Sequence, residues 1–181
     1  MRRLILLMSV SLDGFAAHTD HTIDWLGDYA YGDQRHRLTL EALHEIGLIV
    51  IGGVASEMST AWSGSDSPMA RLINSLPKVV FSKSLDAVDW SNTRVTPRPI
   101  EEEIPELKRE GGKDIVVFGG ARIANSLIRA RLVDEYRLTV HPVALGEGLP
   151  LMHGLPEPRR FEMVSSTAYA DGCVVQVLRP A

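Results

Sequence analysis

The sequence has few of the residues that build disulfide frameworks and metal centres. Cys173 is the single cysteine among 181 residues, so an intrachain disulfide and a cysteine-based metal site are both excluded. The histidines His18, His21, His36 and His44 follow no known metal-ligand spacing, and we expect no metal ion. Cys173 is expected to be a small buried apolar residue.

Strong charge and long hydrophobic runs are also missing. The formal net charge is −4 and the isoelectric point is near 5.9, which gives no electrostatic reason to expect nucleic acid or an anionic membrane as a partner. The apolar run LILLMSVSL near the start is too short to span a bilayer. Asp13-Gly14 interrupts it where a signal peptide would carry a small-residue cleavage site. It is therefore predicted to be a core strand of a cytoplasmic protein, and the length suits one domain over residues 1–181.

Common signatures of nucleotide and hydrolase sites are absent as well. Neither of two glycine pairs fits GxGxxG or GxxxxGK[ST], so the usual Rossmann and Walker motifs are excluded. No GxSxG motif places a nucleophilic serine on a tight turn.

The stretch DIVVFGGARIANSL, residues 114–127, carries the clearest pattern that is present. An apolar strand stops at Gly119-Gly120, and apolar residues at helical spacing follow. Glycines let a ligand approach the backbone, and the first N–H groups of a helix attract anions. The same pattern recurs at Gly52-Gly53, so both turns are candidate phosphate sites; an ordinary chain reversal is the alternative for each.

Strands alternate with helices along the chain and are followed by a hairpin across residues 170–172. This order predicts an α/β, three-layer fold with a mostly parallel central sheet and an antiparallel C-terminal hairpin. Residues 15–31 are predicted to form a long loop, residues 33–45 a helix, and the glutamate run in 101–110 a solvated helix face.

Three groups suited to anions fall at the carboxyl ends of predicted strands. They are the two glycine turns and Ser82-Lys83-Ser84. Ligands of open parallel sheets bind at that edge, so a ligand with more than one phosphate is indicated; a polar loop is the alternative for the serine-lysine segment. The nearest carboxylates are Asp13, Asp24 and Asp33, each of which is either a proton donor or a turn or capping residue.

Several ordered blocks resemble the dihydrofolate-reductase-like superfamily. The blocks are MSVSLDGFAA, IDWL, PKVVFSKSL, VVFGGARIANSLI and VDEYRLTVHPVALGEGLPLM. Within that superfamily the chain is most similar to stand-alone proteins related to the reductase half of the bifunctional riboflavin-biosynthesis deaminase-reductase. The resemblance covers nearly the whole chain and implies an NADPH-dependent reductase that acts as a homodimer.

The resemblance also assigns roles to individual residues. Ser9 falls where the first strand meets the nicotinamide amide, and Trp25 falls on a loop tryptophan that borders the cofactor. The segment of Phe15, Ala16 and Ala17 matches the loop that covers the nicotinamide ring. The implied phosphate contacts are Gly52, Gly53, Ser82, Lys83 and Ser84, with Lys83 at the 2′-phosphate, and the pyrophosphate loop Phe118, Gly119, Gly120, Ala121, Arg122 and Ile123.

The sequence departs from the family pattern at three places. The family commonly has Gly-Arg followed shortly by a threonine where this chain has Gly52-Gly53-Val54-Ala55, so a cation and a hydroxyl are missing. Ala124 replaces a tyrosine that packs on the cofactor in dihydrofolate reductases. Phe118 replaces a substrate-binding glutamate of the riboflavin-pathway reductases, which argues against the riboflavin intermediate as substrate.

The expected activity is hydride transfer from NADPH to a C=N or C=O carbon of a small, pterin- or pyrimidine-like substrate. Asp33 is the first choice for proton relay and Asp13 the second, with bound water as an equal alternative. The competing hypothesis is a nucleotide-binding or regulatory module that keeps the fold without catalysis.

Overall fold

A computed structural model describes residues 1–27 and 39–181 together with their side chains. Residues 28–31 and 33–38 are described only as parts of helical segments, and residue 32 is not described. The strands are β1 Leu4–Val10, β2 Phe15–Ala17, β3 Ile46–Ile51, β4 Lys78–Phe81, β5 Thr93–Thr96, β6 Asp114–Phe118, β7 Glu135–Val140, β8 Leu149–Pro150, β9 Phe161–Ala168 and β10 Val174–Pro180. The helices are α1 Asp33–His44, α2 Ala55–Ser63, α3 Pro68–Ser75, α4 Ile100–Arg109 and α5 Ala121–Arg129, with a 3-10 segment at Asp24–Tyr31.

The central sheet contains eight strands in the order β5-β4-β3-β6-β1-β7-β10-β9. The first six of these are parallel to one another, whereas β10 and β9 add an antiparallel hairpin at one edge. The predicted fold class is confirmed in both respects. Because six parallel strands share one direction, their carboxyl ends all open on the same edge of the sheet.

Helices cover both faces of the sheet, which gives the three layers. Apolar residues of α4 and α5 pack with Leu4, Leu6 and Val117 on one face. Residues of α1, α2 and α3 pack with Ile5, Ile49 and Val116 on the other. Alternate residues of β1 thus point to opposite layers, as the period of a strand requires. The near-continuous apolar runs of β3 and β6 follow from burial on both faces.

Local signals in the sequence explain where the helices begin. At α3, the Ser67 hydroxyl accepts a hydrogen bond from the Ala70 N–H at 3.1 Å, and Pro68 occupies the first turn. At α4, glutamates fill the first turn and Lys108 and Arg109 the last, an order that complements the helix dipole.

The acidic helix face is less exposed than the sequence predicts. Glu103 is only 4% exposed, and its carboxylate pairs with Arg94 and, at 2.7 Å, with Arg98. The prediction of a fully solvated glutamate run is wrong at this residue, because arginines of β5 and the following turn supply partners that the sequence pattern does not reveal.

The segment 15–31 is also more regular than a loop. It starts with β2, which pairs with β8, and it contains the 3-10 segment. Each element of the β2–β8 pair is three residues or fewer, too short for strand periodicity to be read from the sequence.

No helix within the described residues combines the length and the hydropathy needed to cross a bilayer.

Candidate functional site

The carboxyl edge of the parallel sheet brings the predicted site segments together. The turn after β3 holds Gly52-Gly53, the turn after β6 holds Gly119-Gly120, and β4 continues into Ser82-Lys83-Ser84. Strands β4, β3 and β6 are consecutive neighbours in the sheet. All three anion-suited groups therefore lie along one stretch of one edge, as the sequence predicts.

The two glycine turns pack against each other. A Cβ atom on Gly52 would lie 2.9 Å from Cβ of Ile123, and one on Gly120 would lie 3.3 Å from Cγ2 of Val54. Gly119 and Gly120 have φ angles of 80° and 85°, a region that residues with side chains rarely adopt. Gly52, Gly119 and Gly120 are thus required first by close packing or backbone conformation at these turns, whereas a Cβ on Gly53 would meet nothing within 4 Å.

Both helices that follow these turns begin without a capping side chain. Residue Val54 precedes α2 and Gly120 precedes α5, and neither supplies a side-chain acceptor. The first N–H groups of a helix have no intrahelical partner. The Ala55 N–H donates to the Gly52 carbonyl at 3.2 Å. The other first-turn N–H groups of these two neighbouring helices carry partial positive charge at the same edge, an arrangement that binds anions such as phosphates.

The segment after β4 forms a turn built on Ser82. Its hydroxyl oxygen accepts hydrogen bonds from the Ser84 N–H at 3.2 Å and the Leu85 N–H at 3.1 Å. Lys83 and Ser84 are exposed at the tip of this turn. An exposed ammonium between two hydroxyls offers a monoanionic or dianionic group both charge and hydrogen bonds.

Ser9 lies near the end of β1, which is three strands away from β4, the strand that Ser82 follows. Its Oγ is 3.0 Å from Nε2 of His141, the residue directly after β7. The ring of Trp25 lies edge-on to the His141 ring, with centroids 5.4 Å apart. The resemblance singles out Ser9 and Trp25, and the structure brings both into contact with His141.

Sequence reasoning missed His141. Four other histidines attract attention because they cluster early in the chain, whereas His141 stands alone after an apolar strand. Its one signal is position: a polar, titratable residue at the carboxyl end of a parallel strand lies at the ligand edge of such a sheet.

Phe15, Ala16 and Ala17 form β2 and are held on the body of the protein. Ala16 and Ala17 are buried, and the Leu151 N–H donates to the Gly14 carbonyl at 3.1 Å. Phe15 is half-buried and is the member of the segment whose side chain remains accessible to a ligand.

The carboxylate of Asp13 accepts hydrogen bonds that connect two turns of the protein. Its Oδ1 accepts from the Ser11 hydroxyl at 2.6 Å, and its Oδ2 accepts from the Gly146 N–H at 2.8 Å. These hydrogen bonds, led by that of Ser11, lower the pKa of Asp13 to about 2. A carboxylate that holds its charge so firmly is a poor proton donor near neutral pH. Asp13 therefore connects the β1–β2 turn to the turn at residues 145–146, a role that matches the turn-residue alternative predicted for this position.

The side chain of Asp33, the first choice for proton relay, lies outside the described residues.

The other predicted site residues around the second glycine turn lie at the end of β6 and in the first turn of α5. Phe118 packs against Trp62 with ring centroids 6.3 Å apart, Arg122 is exposed and Ile123 is buried. Among the described residues, no three His, Cys, Asp or Glu side chains lie together as a metal site would require.

A cavity of about 280 Å³ lies at the other edge of the sheet, lined among others by Arg3, Arg137 and Asp114. Arg3 pairs with Asp114, and Glu135 contacts Arg3 at 2.9 Å and Arg137 at 2.7 Å. Since these ion pairs join β1, β6 and β7, their first role is to hold the amino ends of the strands together.

Comparison with known proteins agrees with this architecture. The family model for the RibD C-terminal domain matches residues 2–175. The chain belongs to the RibD C-terminal domain family.

Relatives and solved structures support the assignment. The uncharacterized protein YyaP of Bacillus subtilis strain 168 is 31% identical over 98% of this chain and 94% of its own. A 2,5-diamino-6-ribosylamino-4(3H)-pyrimidinone 5′-phosphate reductase of Aquifex aeolicus strain VF5 is 46% identical over a shorter part, 28% of this chain and 23% of its own. The crystal structure of a candidate riboflavin biosynthesis protein of Shewanella sp. PV-4 superimposes with a TM-score of 0.76 at 23% identity and covers 99% of each chain, so it shares the fold.

Proposed function

We propose that this RibD-family protein is an NADPH-dependent reductase that transfers a hydride to a C=N or C=O carbon of a small heterocyclic substrate. The observation that carries the proposal is the pair of uncapped helix N-termini at the glycine turns after β3 and β6. Such a pair suits the pyrophosphate of a dinucleotide, which carries two negative phosphates side by side.

The residues present fit the whole length of the cofactor. In the proposal, Gly119 to Ile123 and Gly52-Gly53 hold the pyrophosphate, and Ser82, Lys83 and Ser84 hold the 2′-phosphate. Ser9, Phe15 and Trp25 border the nicotinamide ring. Bound NADPH would supply the hydride, while the protein orients both reactants and excludes water.

The substrate class is inferred from the relatives and from one departure. The Aquifex relative is named for a reaction on a ribosylaminopyrimidinone phosphate, which favours a pyrimidine-like or pterin-like heterocycle. Phe118 packs on Trp62 and has no charge, so it cannot supply the carboxylate that, by the resemblance, the riboflavin-pathway reductases carry at this position. We therefore propose a related heterocycle other than the riboflavin intermediate.

The proton for the reduced substrate atom needs a separate source. The low pKa of Asp13 argues against its direct use, so the proposal retains Asp33 or a bound water molecule. In either case the role is protonation of the substrate nitrogen or oxygen as the hydride reaches carbon.

A second candidate is a nucleotide-binding module without catalysis. Ala55 and Ala124 are both fully buried, so neither helix offers a side chain to the cofactor at the positions where the family carries a hydroxyl or a tyrosine. A protein that holds the phosphates of the nucleotide in the same way but positions the nicotinamide ring less well would bind the nucleotide without reducing a substrate.

The two functions are separated by one titration and one assay. NADPH is titrated into the protein while nicotinamide fluorescence is followed, and the bound protein is then mixed with dihydropterins, aminopyrimidines and simple imines. The reductase predicts saturable binding and NADPH oxidation with at least one of these. Binding without oxidation favours the module, and absence of binding at millimolar NADPH contradicts both.

A further inference from the structure

His141 is held rigidly at the carboxyl edge. Its N–H donates to the carbonyl of Val10 at 2.8 Å, which extends the pairing of β7 with β1 by one residue. The side chain is 1% exposed. A polar ring buried to this degree in a sheet edge is retained only if its nitrogens have partners.

Both ring nitrogens face polar side chains. Nε2 is 3.0 Å from Oγ of Ser9, and Nδ1 is 3.4 Å from Sγ of Cys173. Cys173 is fully buried, and the edge-on ring of Trp25 closes a third side. Ser9, His141 and Cys173 thus form a row that runs from the interior of the β7–β10 region to β1.

The row ends at the Ser9 hydroxyl, near the carboxyl end of β1. Ser9 is half-buried, unlike the other two members. The Ser9 hydroxyl uses one hydrogen-bonding position for His141, and this contact fixes the direction of its remaining donor or acceptor position. If Nε2 donates its proton, the Ser9 O–H is free to donate; if Nε2 accepts, the Ser9 lone pairs are free to accept.

Trp25, another residue in contact with His141, carries a donor without a partner in the part of the chain that the structure describes. Nε1 of Trp25 is buried and has no hydrogen-bond partner among the described residues. A buried donor left unpaired costs free energy, and a bound acceptor removes that cost. Ser9 and Trp25 both contact the His141 ring.

We infer that His141 is a positioning residue that fixes the Ser9 hydroxyl for the carboxamide of a nicotinamide ring. This inference rests on the proposed NADPH-binding function and assigns His141 a role within that site. A primary carboxamide carries both an N–H donor and a C=O acceptor, so it matches the Ser9 hydroxyl with either proton arrangement of the imidazole.

The test compares two ligands that differ only at the nicotinamide end. NADPH is measured against 2′-phosphoadenosine 5′-diphosphoribose, which has both phosphate groups and lacks the ring. We expect Ser9→Ala and His141→Leu each to weaken NADPH about fivefold to tenfold, the loss of one hydrogen bond to an oriented group. The affinity for the ring-less ligand should stay within twofold of wild type.

Two further variants exclude a merely structural effect. His141→Gln keeps a side-chain N–H near the Nε2 position and should restore most of the NADPH affinity. The double variant Ser9→Ala/His141→Leu should be no worse than either single variant, because His141 acts through Ser9. Ser9→Ala removes one oxygen at a half-buried position, so it provides an answer even if His141→Leu fails to fold.

The failures of the two proposals are distinguishable. Wild-type protein that does not bind NADPH overturns the proposed function and this inference with it. Wild type that binds NADPH while Ser9→Ala and His141→Leu bind it equally well overturns the role of His141 and leaves the reductase standing. Equal losses for both ligands also overturn it, since they indicate general damage to the site.

Discussion

Ser82, Lys83 and Ser84 show how a short polar segment acquires a role from its position. In the sequence they are one loop among several; in the structure Ser82 organises a turn that exposes the lysine ammonium beside the ends of β3 and β6. The geometry of the turn is local, but its distance from the glycine turns is set by the order of strands in the sheet.

The 2′-phosphate assignment predicts a change in cofactor preference. Lys83→Ala should weaken NADPH about tenfold, the size of one exposed charge-assisted contact, and leave NADH nearly unchanged. Dissociation constants from nicotinamide fluorescence measure both. Lys113→Ala, which alters an exposed lysine that bonds the His44 carbonyl at the other edge, serves as the control. Equal losses for NADPH and NADH would show that Lys83 does not contact the 2′-phosphate.

Asp13 predicts a specific dependence of stability on pH. Its pKa is lowered from 3.8 to about 2 in the folded protein, so the folded state favours the carboxylate. The stabilisation is fully present above about pH 4 and is lost as the pH falls through 2. Asp13→Asn should therefore lower the urea midpoint at pH 7, and the difference from wild type should shrink as the pH is lowered from 4 towards 2.

The matched control is Asp66→Asn, at an exposed loop position. It should leave the urea midpoint unchanged at every pH. A difference between wild type and Asp13→Asn that stayed constant down to pH 2 would contradict the pKa assigned to Asp13.

At the scale of elements, the glycine turns serve packing and binding at the same time. Gly120 has a φ of 85°, and a Cβ there would lie 3.2 Å from Cγ2 of Ile123. The same absence of a side chain leaves the first N–H groups of α5 accessible. A ligand role and a structural role therefore impose the same residue, which is why the sequence pattern alone cannot separate them.

Replacement of this glycine should damage the fold and the site together. Gly120→Ala is expected to lower the free energy of unfolding by about 1–2 kcal/mol, the cost of a side chain in the left-handed region. Chemical denaturation measures it. Gly64→Ala is the control, since Gly64 has a φ of −89° and open space around it, and it should be neutral or slightly stabilising. Equal stability of Gly120→Ala and wild type would mean that the turn relaxes to another conformation.

At the scale of the whole molecule, the open edge of the sheet bears on assembly. Strand β7 lies between β1 and β10 and therefore offers no edge for pairing with a second chain. Strand β9 of the terminal hairpin is the last strand of the sheet, and Met163 and Val164 on it are 52% and 50% exposed. Exposed apolar edge strands are sites where a further chain can pair.

We expect this edge to join two copies of the chain in a homodimer. Light scattering on the purified protein should give a mass near two chains, and Val164→Lys should shift it towards one chain by placing a charge in the contact. Leu12→Lys, at an exposed apolar position outside the hairpin, should leave the dimer intact. A wild-type mass of one chain would reject the homodimer.

The sequence by itself determined the layered α/β fold, the mostly parallel direction of its strands and the glycine turns, because runs of apolar residues and glycine pairs are local patterns with local causes. It placed Ser82-Lys83-Ser84 at the correct edge for the same reason, since carboxyl ends of parallel strands coincide. Only the tertiary structure decided that Glu103 is buried between arginines, that β2 pairs with β8, and that His141 lies against Ser9. These contacts join residues of different elements, in the last case 132 positions apart, and their energies depend on neighbours that only the folded chain supplies.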